Sequence, residues 1–202
     1  MGDTAQDMIG LAIRALAERK ESLATEVFAL EEKVNHLELE IEETALRFLA
    51  LRQPAAKDLR LLTAILKINN DLERVADQAV NISETALYLL KEPPLKPLID
   101  IPRMALLAQK MIKNSLDAFV RHDATLAKAV CEDDDEVDRL NEQIFRELLT
   151  YMTEDPKSIT RAVDLILVSR NLERIADHAT NISEDVIFIE EGKNIKHHIQ
   201  EQ

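Results

Sequence analysis

Apolar residues recur along this chain at alternating spacings of three and four, which is the period of an amphipathic α-helix. The clearest run lies between residues 72 and 89, and a second copy follows one hundred residues later. Each run forms an apolar seam, made of Leu72, Val75, Ala79, Ile82, Ala86 and Leu89 in the first copy and of Leu172, Ile175, Ala179, Ile182, Val186 and Ile189 in the second. The two seams predict two long helices that each pack through one face.

Prolines separate further segments of helical periodicity, because a proline inside a helix breaks it. Pro54, the group from Pro93 to Pro102, and Pro156 mark these separations. We expect six helices, at about residues 4–19, 21–52, 55–90, 103–121, 123–153 and 157–190. Asp100 and Asp123 are candidate N-caps of the fourth and fifth helices. A kink near residue 122 would instead make these two helices one bent helix. Gly192 is placed to end the last helix.

The two halves of the chain are copies of each other. Residues 72–84 read LERVADQAVNISE and residues 172–184 read LERIADHATNISE, with ten of thirteen positions identical. Upstream, the correspondence continues at an offset of 103, so that residues 34–37 align with residues 137–140. We therefore place a first three-helix bundle at residues 1–92, a proline-rich linker at 93–102 and a second bundle at 103–202. The expected fold class is all-α, with two tandem homologous three-helix bundles.

Composition restricts what such a protein can do. Lys and Arg number 25 against 38 Asp and Glu, which gives a net charge of −13 and argues against general nucleic-acid binding. Cys131 is the single cysteine, so no intrachain disulfide can form, and we expect a partly buried, inert thiol. The sequence shows neither a signal peptide nor a membrane span, so the expected location is the cytoplasm.

Carboxylates repeat on the helix face opposite each seam. Side chains four residues apart are neighbours on a helix, so two such pairs from adjacent helices would make an oxygen-rich metal site. The candidate ligands are Glu31, Asn35, Glu73 and Asp77 in the first half, and Asp134, Asp138, Glu173 and Asp177 in the second. Oxygen ligands favour Mg, Mn, Ca or Fe over structural zinc.

The acidic stripe also fits an ordinary solvated helix face, so a purely structural role stays open. Asn81 and Asn181 are additional candidate ligands that could equally bond a neighbouring helix. Arg74 and its counterpart in the second copy are expected to form ion pairs within the bundle. His178 is expected at the surface, with a role as an added ligand as the sharper alternative.

The duplicated unit, with LER[VI]AD-x-A-x-NISE in each copy, resembles the PhoU family of phosphate-signalling regulators. The family pattern also appears in residues 51–54, in residues 57–60, where Asp58 is a further candidate ligand, and in residues 135–140. This resemblance covers nearly the whole chain and implies two three-helix bundles, commonly in a homodimer. The chain departs from the family pattern at Asn35, where an acidic residue is expected. This difference implies that the first metal site holds fewer ions or binds them more weakly. The chain also begins close to its first helix, without a leading segment that many members have.

The resemblance implies a cofactor and a role. Family members bind multinuclear clusters, iron or zinc among them, through E(D)-x-x-x-D motifs, which carry over to Glu73 and Asp77, Glu173 and Asp177, and Asp134 and Asp138. They restrain the Pho regulon when phosphate is plentiful, by linking the ATPase subunit of the ABC phosphate transporter to a sensor histidine kinase.

The expected protein is therefore a non-enzymatic, metal-binding negative regulator of phosphate uptake. It would be cytoplasmic and would reach the inner face of the membrane only through its partners. Two alternatives stay open. One is a carboxylate-bridged metallohydrolase acting on phosphate esters, because paired metals can activate water. The other is a purely structural helical scaffold.

Overall fold

The computed structural model describes residues 1–52 and 54–192, which contain six α-helices, one short 3₁₀ helix and no strand. The helices are α1 Gly2–Glu18, α2 Glu21–Arg52, α3 Ala56–Leu89, α4 Asp100–Arg121, α5 Ala124–Glu154 and α6 Ile159–Glu191, and the 3₁₀ turn is Pro156–Ser158. The all-α class and the six helices are confirmed. α4 begins three residues earlier than expected, inside the segment assigned to the linker. Residues 193–202 of the expected second bundle lie outside the described residues.

Both predicted apolar seams are buried. Every seam residue keeps 6% or less of its surface in water, and most keep none. Most of them join residues of the other four helices in one core that continues through both halves. Because apolar residues are concentrated on the packed faces, no helix within the described ranges has a stretch suited to crossing a bilayer.

The two halves pack against each other through α3 and α6, which run antiparallel. Lys67 of α3 pairs with Asp185 of α6, with 3.0 Å between Nζ and Oδ1. Further along α3, Asp71 pairs with His178, which lies earlier on α6. The acceptor Asp185 is almost fully buried, so this ion pair forms part of the contact between the halves rather than a solvated surface bridge.

The sequence repeat is also a spatial repeat. Gln109 of α4 donates from Nε2 to the backbone carbonyl of Gln6 in α1, its own counterpart at the offset of 103, over 2.9 Å. Arg19 and His122, another pair of counterparts, both adopt the left-handed backbone conformation after the first helix of their half, with φ of 55° and 56°. The left-handed residue at position 122 separates α4 from α5, so a single bent helix does not form.

The predicted helix termini are partly confirmed. Asp123 caps α5, since its Oδ1 accepts hydrogen bonds from two N–H groups of the first turn at 3.0 Å each. Gly192 ends α6 with φ of 71°, a conformation that glycine adopts without strain. The prediction for Asp100 is wrong, because this residue is the first of α4 rather than its cap. Its carboxylate instead accepts from Gln143 of α5 at 3.1 Å, a tertiary contact that the sequence pattern does not reveal.

The second and third helices of the first half extend beyond the first. α2 and α3 contain 32 and 34 residues, whereas α1 contains 17. At 1.5 Å per residue, these lengths are about 50 Å against about 26 Å. The outer part of the α2–α3 hairpin is therefore a two-helix arm that α1 does not reach.

Candidate metal centres

The four acidic residues predicted for the second half lie close together between α5 and α6. Asp134 and Asp138 stand on consecutive turns of α5, and Glu173 and Asp177 on consecutive turns of α6. Partial burial, and then the charges of Asp138, Asp177, Asp135 and Glu173, raise the pKa of Asp134 to about 7. Carboxylates disturb one another in this way only when they are near neighbours. The structure therefore brings the four predicted ligands into one acidic cluster, named here the α5–α6 cluster.

Neighbouring charges act on Asp177 in both directions. Partial burial and the charge of Asp138 raise its pKa, whereas His178 and Arg174 lower it. Arg174 is thus electrostatically coupled to the α5–α6 cluster through its effect on Asp177. Asp177 and Asp138 remain exposed to solvent, so an ion from solution would have access to both.

Cys131 borders the same cluster, one turn before Asp134. Burial, followed by the charges of Glu184 and Asp134, raises the pKa of the Cys131 thiol to about 11. The partial burial predicted for this thiol is confirmed. Its raised pKa leaves little reactive thiolate near neutral pH, which agrees with the expectation of an inert thiol.

A matching cluster lies between α2 and α3 in the first half, named here the α2–α3 cluster. Burial, and then the charges of Asp77 and Glu84, raise the pKa of Glu31. The pKa of Glu73 is also raised, first by burial and then by Asp77, with a smaller contribution from Glu38. Three predicted ligands, Glu31, Glu73 and Asp77, are thus brought together.

The structure adds acidic residues that the predicted ligand set lacked. Glu38, Glu84 and Glu184 each couple to a cluster or to its bordering thiol. Each stands seven residues after a predicted ligand, namely Glu31, Asp77 and Asp177. Because seven residues make two helical turns, each of these acids lies on the same helix face as the predicted ligand before it. This spacing is the sequence signal that could have identified them.

Three predicted ligands of the first half show no contact with the α2–α3 cluster among the described interactions. Asn35 and Asn81 are exposed. Asp58 lies in the first turn of α3, fifteen residues before Glu73, which is about 22 Å along the helix. That separation is too large for Asp58 and Glu73 to bind the same ion.

His178 and Asn181 contribute to the contact between the halves. His178 Nδ1 lies 2.8 Å from Asp71 Oδ1, and Asn181 Nδ2 donates to the same oxygen at 3.4 Å. The prediction of a surface His178 is wrong, because α3 covers this side of α6. For Asn181, the alternative of bonding a neighbouring helix is confirmed. At the positions of the other half that correspond to Asp71 and His178, the chain places the buried neutral residues Asn171 and Gln78.

Arg74 pairs with the carboxylates of its own helix. Its guanidinium lies 3.4 Å from Glu73 Oε2 and 3.3 Å from Asp77 Oδ2. The predicted ion pair within the bundle is confirmed. It is exposed and neutralises only part of the cluster's negative charge.

The donor set suits a hard cation. In each cluster the carboxylates raise one another's pKa across a pair of helices, and a cation between them would remove that repulsion. Over residues 1–52 and 54–192, no three His, Cys, Asp or Glu side chains already stand close enough to hold one ion together. The oxygen chemistry therefore fits a metal, and the side chains would have to turn towards the ion to bind it.

The fold and these clusters define a class, a duplicated all-helical protein with one carboxylate cluster in each half. The PhoU domain family matches the chain twice, over residues 1–86 and 101–186. An Aquifex aeolicus protein described as a phosphate-specific transport system accessory protein PhoU homolog is 45% identical, over 100% of this chain and 92% of its own length. A Pseudomonas aeruginosa protein with the same description is 40% identical, over 98% of this chain and 82% of its own length.

Two solved structures share the fold. The crystal structure of PhoU from Pseudomonas aeruginosa has a TM-score of 0.93 at 40% identity, covering 96% of this chain and 93% of that one. The phosphate transport system regulatory protein PhoU from Streptococcus pneumoniae has a TM-score of 0.88 at 26% identity, covering 96% and 92%. The chain belongs to the PhoU family, as the sequence resemblance predicted.

Proposed function

We propose that this protein is a metal-binding negative regulator of phosphate uptake and of Pho regulon signalling, and that it acts without catalysis. Its family membership supports a role in the regulation of phosphate transport, since its relatives are named phosphate-specific transport system accessory proteins. The observation that carries the metal-binding part is the α5–α6 cluster, where neighbouring carboxylates and burial raise the pKa of Asp134 to about 7.

The metal ligands in this proposal are the clustered carboxylates. Asp134, Asp138, Glu173 and Asp177 would hold ions in the second half, and Glu31, Glu73 and Asp77 would hold them in the first. Asn35 follows Glu31 by one turn of α2 and would join them only if its side chain turned towards the ion. A bound multinuclear group, of iron or zinc by family resemblance or of Mg or Mn by ligand type, supplies positive charge at these positions. The carboxylates would then hold α5 to α6 and α2 to α3 through shared ions, which would order the surface formed by each helix pair.

In this proposal the ordered helix faces bind two partners. One is the sensor histidine kinase of the Pho system, and the other is the ATPase subunit of the phosphate ABC transporter. The protein would act as an adaptor between them, as a homodimer in the cytoplasm, and would reach the inner membrane face only through these partners. Light scattering after size-exclusion chromatography would measure the assembly, and a monomer at micromolar concentration would contradict the homodimer.

Metal content tests the sites directly. Protein purified without a chelator is expected to retain transition metal by elemental analysis, and Glu173→Ala with Asp177→Ala should lose the share bound in the second half. A matched control is Asp3→Ala with Asp7→Ala, an exposed pair at the same spacing on α1. Equal metal content in the two double variants would show that the site assignment is wrong.

Partner capture tests the adaptor role. The protein should co-purify with both the kinase and the transporter ATPase, with amounts that differ between high and low phosphate. Capture of neither partner in either condition would contradict the adaptor. Turnover of p-nitrophenyl phosphate that disappears in the Glu173→Ala, Asp177→Ala variant would instead favour the metallohydrolase alternative.

A further inference from the structure

The outer part of the α5–α6 hairpin presents large apolar side chains to solvent. Phe145 and Leu149 stand on consecutive turns of α5, and Ile159 and Val163 stand on consecutive turns of α6. Their exposed fractions are 44%, 43%, 46% and 42%. Single apolar side chains at a surface are ordinary, whereas several on one face mark a binding surface. These four residues are named here the apolar face.

The four side chains lie along the same seam between α5 and α6. Phe145 follows Asp138 by seven residues, which is two helical turns. Ile159 and Val163 precede Asp177 by 18 and 14 residues, which is five turns and about four turns. Burial and the charge of Asp138 raise the pKa of Asp177, so α5 and α6 turn these positions towards each other. Both apolar pairs therefore lie on one surface, beyond the α5–α6 cluster and towards the end of the hairpin.

The first half carries a less apolar version of this surface. At the offsets of the repeat, Glu42 and Thr63 stand where the second half has Phe145 and Val163. A hairpin of this fold therefore accepts polar residues at both positions. Since the hairpin can form without Phe145 and Val163, their exposure points to a contact outside the chain.

We propose that the apolar face binds the apolar face of a second copy of this protein about a twofold axis. This inference rests on the homodimer of the proposed function and names the surface that joins its two subunits. Four side chains at these exposures offer about 300 Å² of apolar area, within the range of patches that mark interaction sites. A twofold axis doubles this area to about 600 Å², against about 1,600 Å² buried in total by a stable interface. The apolar face thus supplies the core of such an interface, and a polar rim completes it.

Charge favours a second copy as the occupant. The protein carries a net charge of −13, so two copies approach closely only through a surface without charge. All four side chains of the apolar face are uncharged, whereas a cationic partner would be drawn to the acidic clusters instead. An uncharged apolar face selects an equally apolar surface, and a second copy provides one of matching size.

Repulsion between the two α5–α6 clusters selects the orientation. A twofold axis that crosses the hairpins makes them run antiparallel, which places the clusters at opposite ends of the interface. Asp138 lies nine residues from the middle of Phe145 and Leu149. The two clusters would therefore stand about 27 Å apart, which is about three Debye lengths at physiological salt.

The association of the full-length protein tests the apolar face. Phe145→Glu with Val163→Thr gives the second hairpin the residues of the first. It should raise the Kd of the dimer at least about 100-fold in analytical ultracentrifugation, because a twofold interface loses each side chain twice. The matched control, Val120→Glu with Leu106→Thr, makes a similar change at exposed positions of α4 and should leave the Kd within about threefold. Circular dichroism checks that both variants are folded.

The outcomes separate this inference from the homodimer itself. A wild-type protein that is monomeric at micromolar concentration would overturn both. A wild-type dimer whose Kd the Phe145→Glu, Val163→Thr variant leaves unchanged would overturn only the apolar face as its interface. A monomeric variant that keeps the metal content of the wild-type protein would support the apolar face, because its loss of association would then be independent of the metal sites.

Single cysteines test the same contact with substitutions that keep the face apolar. In a Cys131→Ser background, Leu149→Cys and Val163→Cys each place one thiol in the apolar face. A residue near a twofold axis lies opposite its own copy, and a disulfide needs the two Cα atoms within about 7 Å. At least one of these variants should form a covalent dimer about tenfold faster under mild oxidation than the exposed control Leu106→Cys. Equal rates in all three variants would overturn the proposal.

Discussion

Replacing Asp134 by asparagine is expected to stabilise the metal-free protein at pH 8. Burial and neighbouring carboxylates raise the pKa of Asp134 from 3.8 to about 7. A difference of this size corresponds to roughly 4 kcal/mol for a fully buried group. Because the Asp134 carboxyl is about half exposed, solvent screens the repulsion, and we expect a gain in unfolding free energy of about 1–2 kcal/mol. Asparagine keeps the shape of the side chain and removes the charge that the folded state disfavours.

The pH dependence has a defined sign. The pKa of Asp134 is higher in the folded state than in the unfolded state, so its favourable contribution is complete below pH 4 and is lost as the pH rises through 7. The wild-type protein should therefore lose stability between pH 5 and pH 8, and the Asp134→Asn variant should lose less. Urea unfolding after chelator treatment, followed by circular dichroism at both pH values, measures this difference.

The control for this experiment removes the same charge elsewhere on α5. Glu132→Gln changes an exposed residue that is not among those raising the pKa of Asp134. It should alter the unfolding free energy by no more than about 0.5 kcal/mol. Two results would refute the electrostatic reasoning. One is an equal change in unfolding free energy for the two variants at pH 8, and the other is a stabilisation by Asp134→Asn that is larger at pH 5 than at pH 8. Added metal should stabilise the wild-type protein more than Asp134→Asn, since the variant lacks a ligand.

Three further predictions concern the fold. Asp71→Asn alone should cost about 1–3 kcal/mol, because His178 loses its buried partner, and adding His178→Gln should recover at least half of that loss, measured by urea unfolding at pH 7. Ile182→Ala should cost about 2–5 kcal/mol of unfolding free energy by creating a cavity, whereas Leu106→Ala at an exposed site should change it by less than about 0.5 kcal/mol; similar costs would contradict the assigned core. Asp123→Ala should cost about 1 kcal/mol and lower the melting temperature, whereas Asp123→Asn, which can still cap α5, should lose only part of this.

The helices, the duplication and the acidic pairs could be predicted from sequence because they depend on local spacing. An apolar residue every three or four positions identifies the buried face of one helix wherever that helix lies. The buried seams confirm this for both halves. The same periodicity put Glu173 and Asp177 on one face, since residues four apart are always neighbours on a helix.

Contacts between helices could not be predicted in this way. Asp71 and His178 are 107 positions apart, and only the antiparallel packing of α3 on α6 brings them to 2.8 Å. The approach of Asp134 to Asp177, and of Glu31 to Asp77, likewise follows from how neighbouring helices are rotated about their axes. The sequence pattern does not predict that rotation when both faces of a helix are partly polar.

The sequence by itself therefore determined an all-helical, duplicated chain with matched acidic stripes, because these properties repeat with the period of the helix. Only the tertiary structure decided which carboxylates share one environment and which histidine lies at the contact between the halves. The physical reason is that burial and electrostatic repulsion depend on distances across helices, and these distances are set by packing rather than by position in the chain.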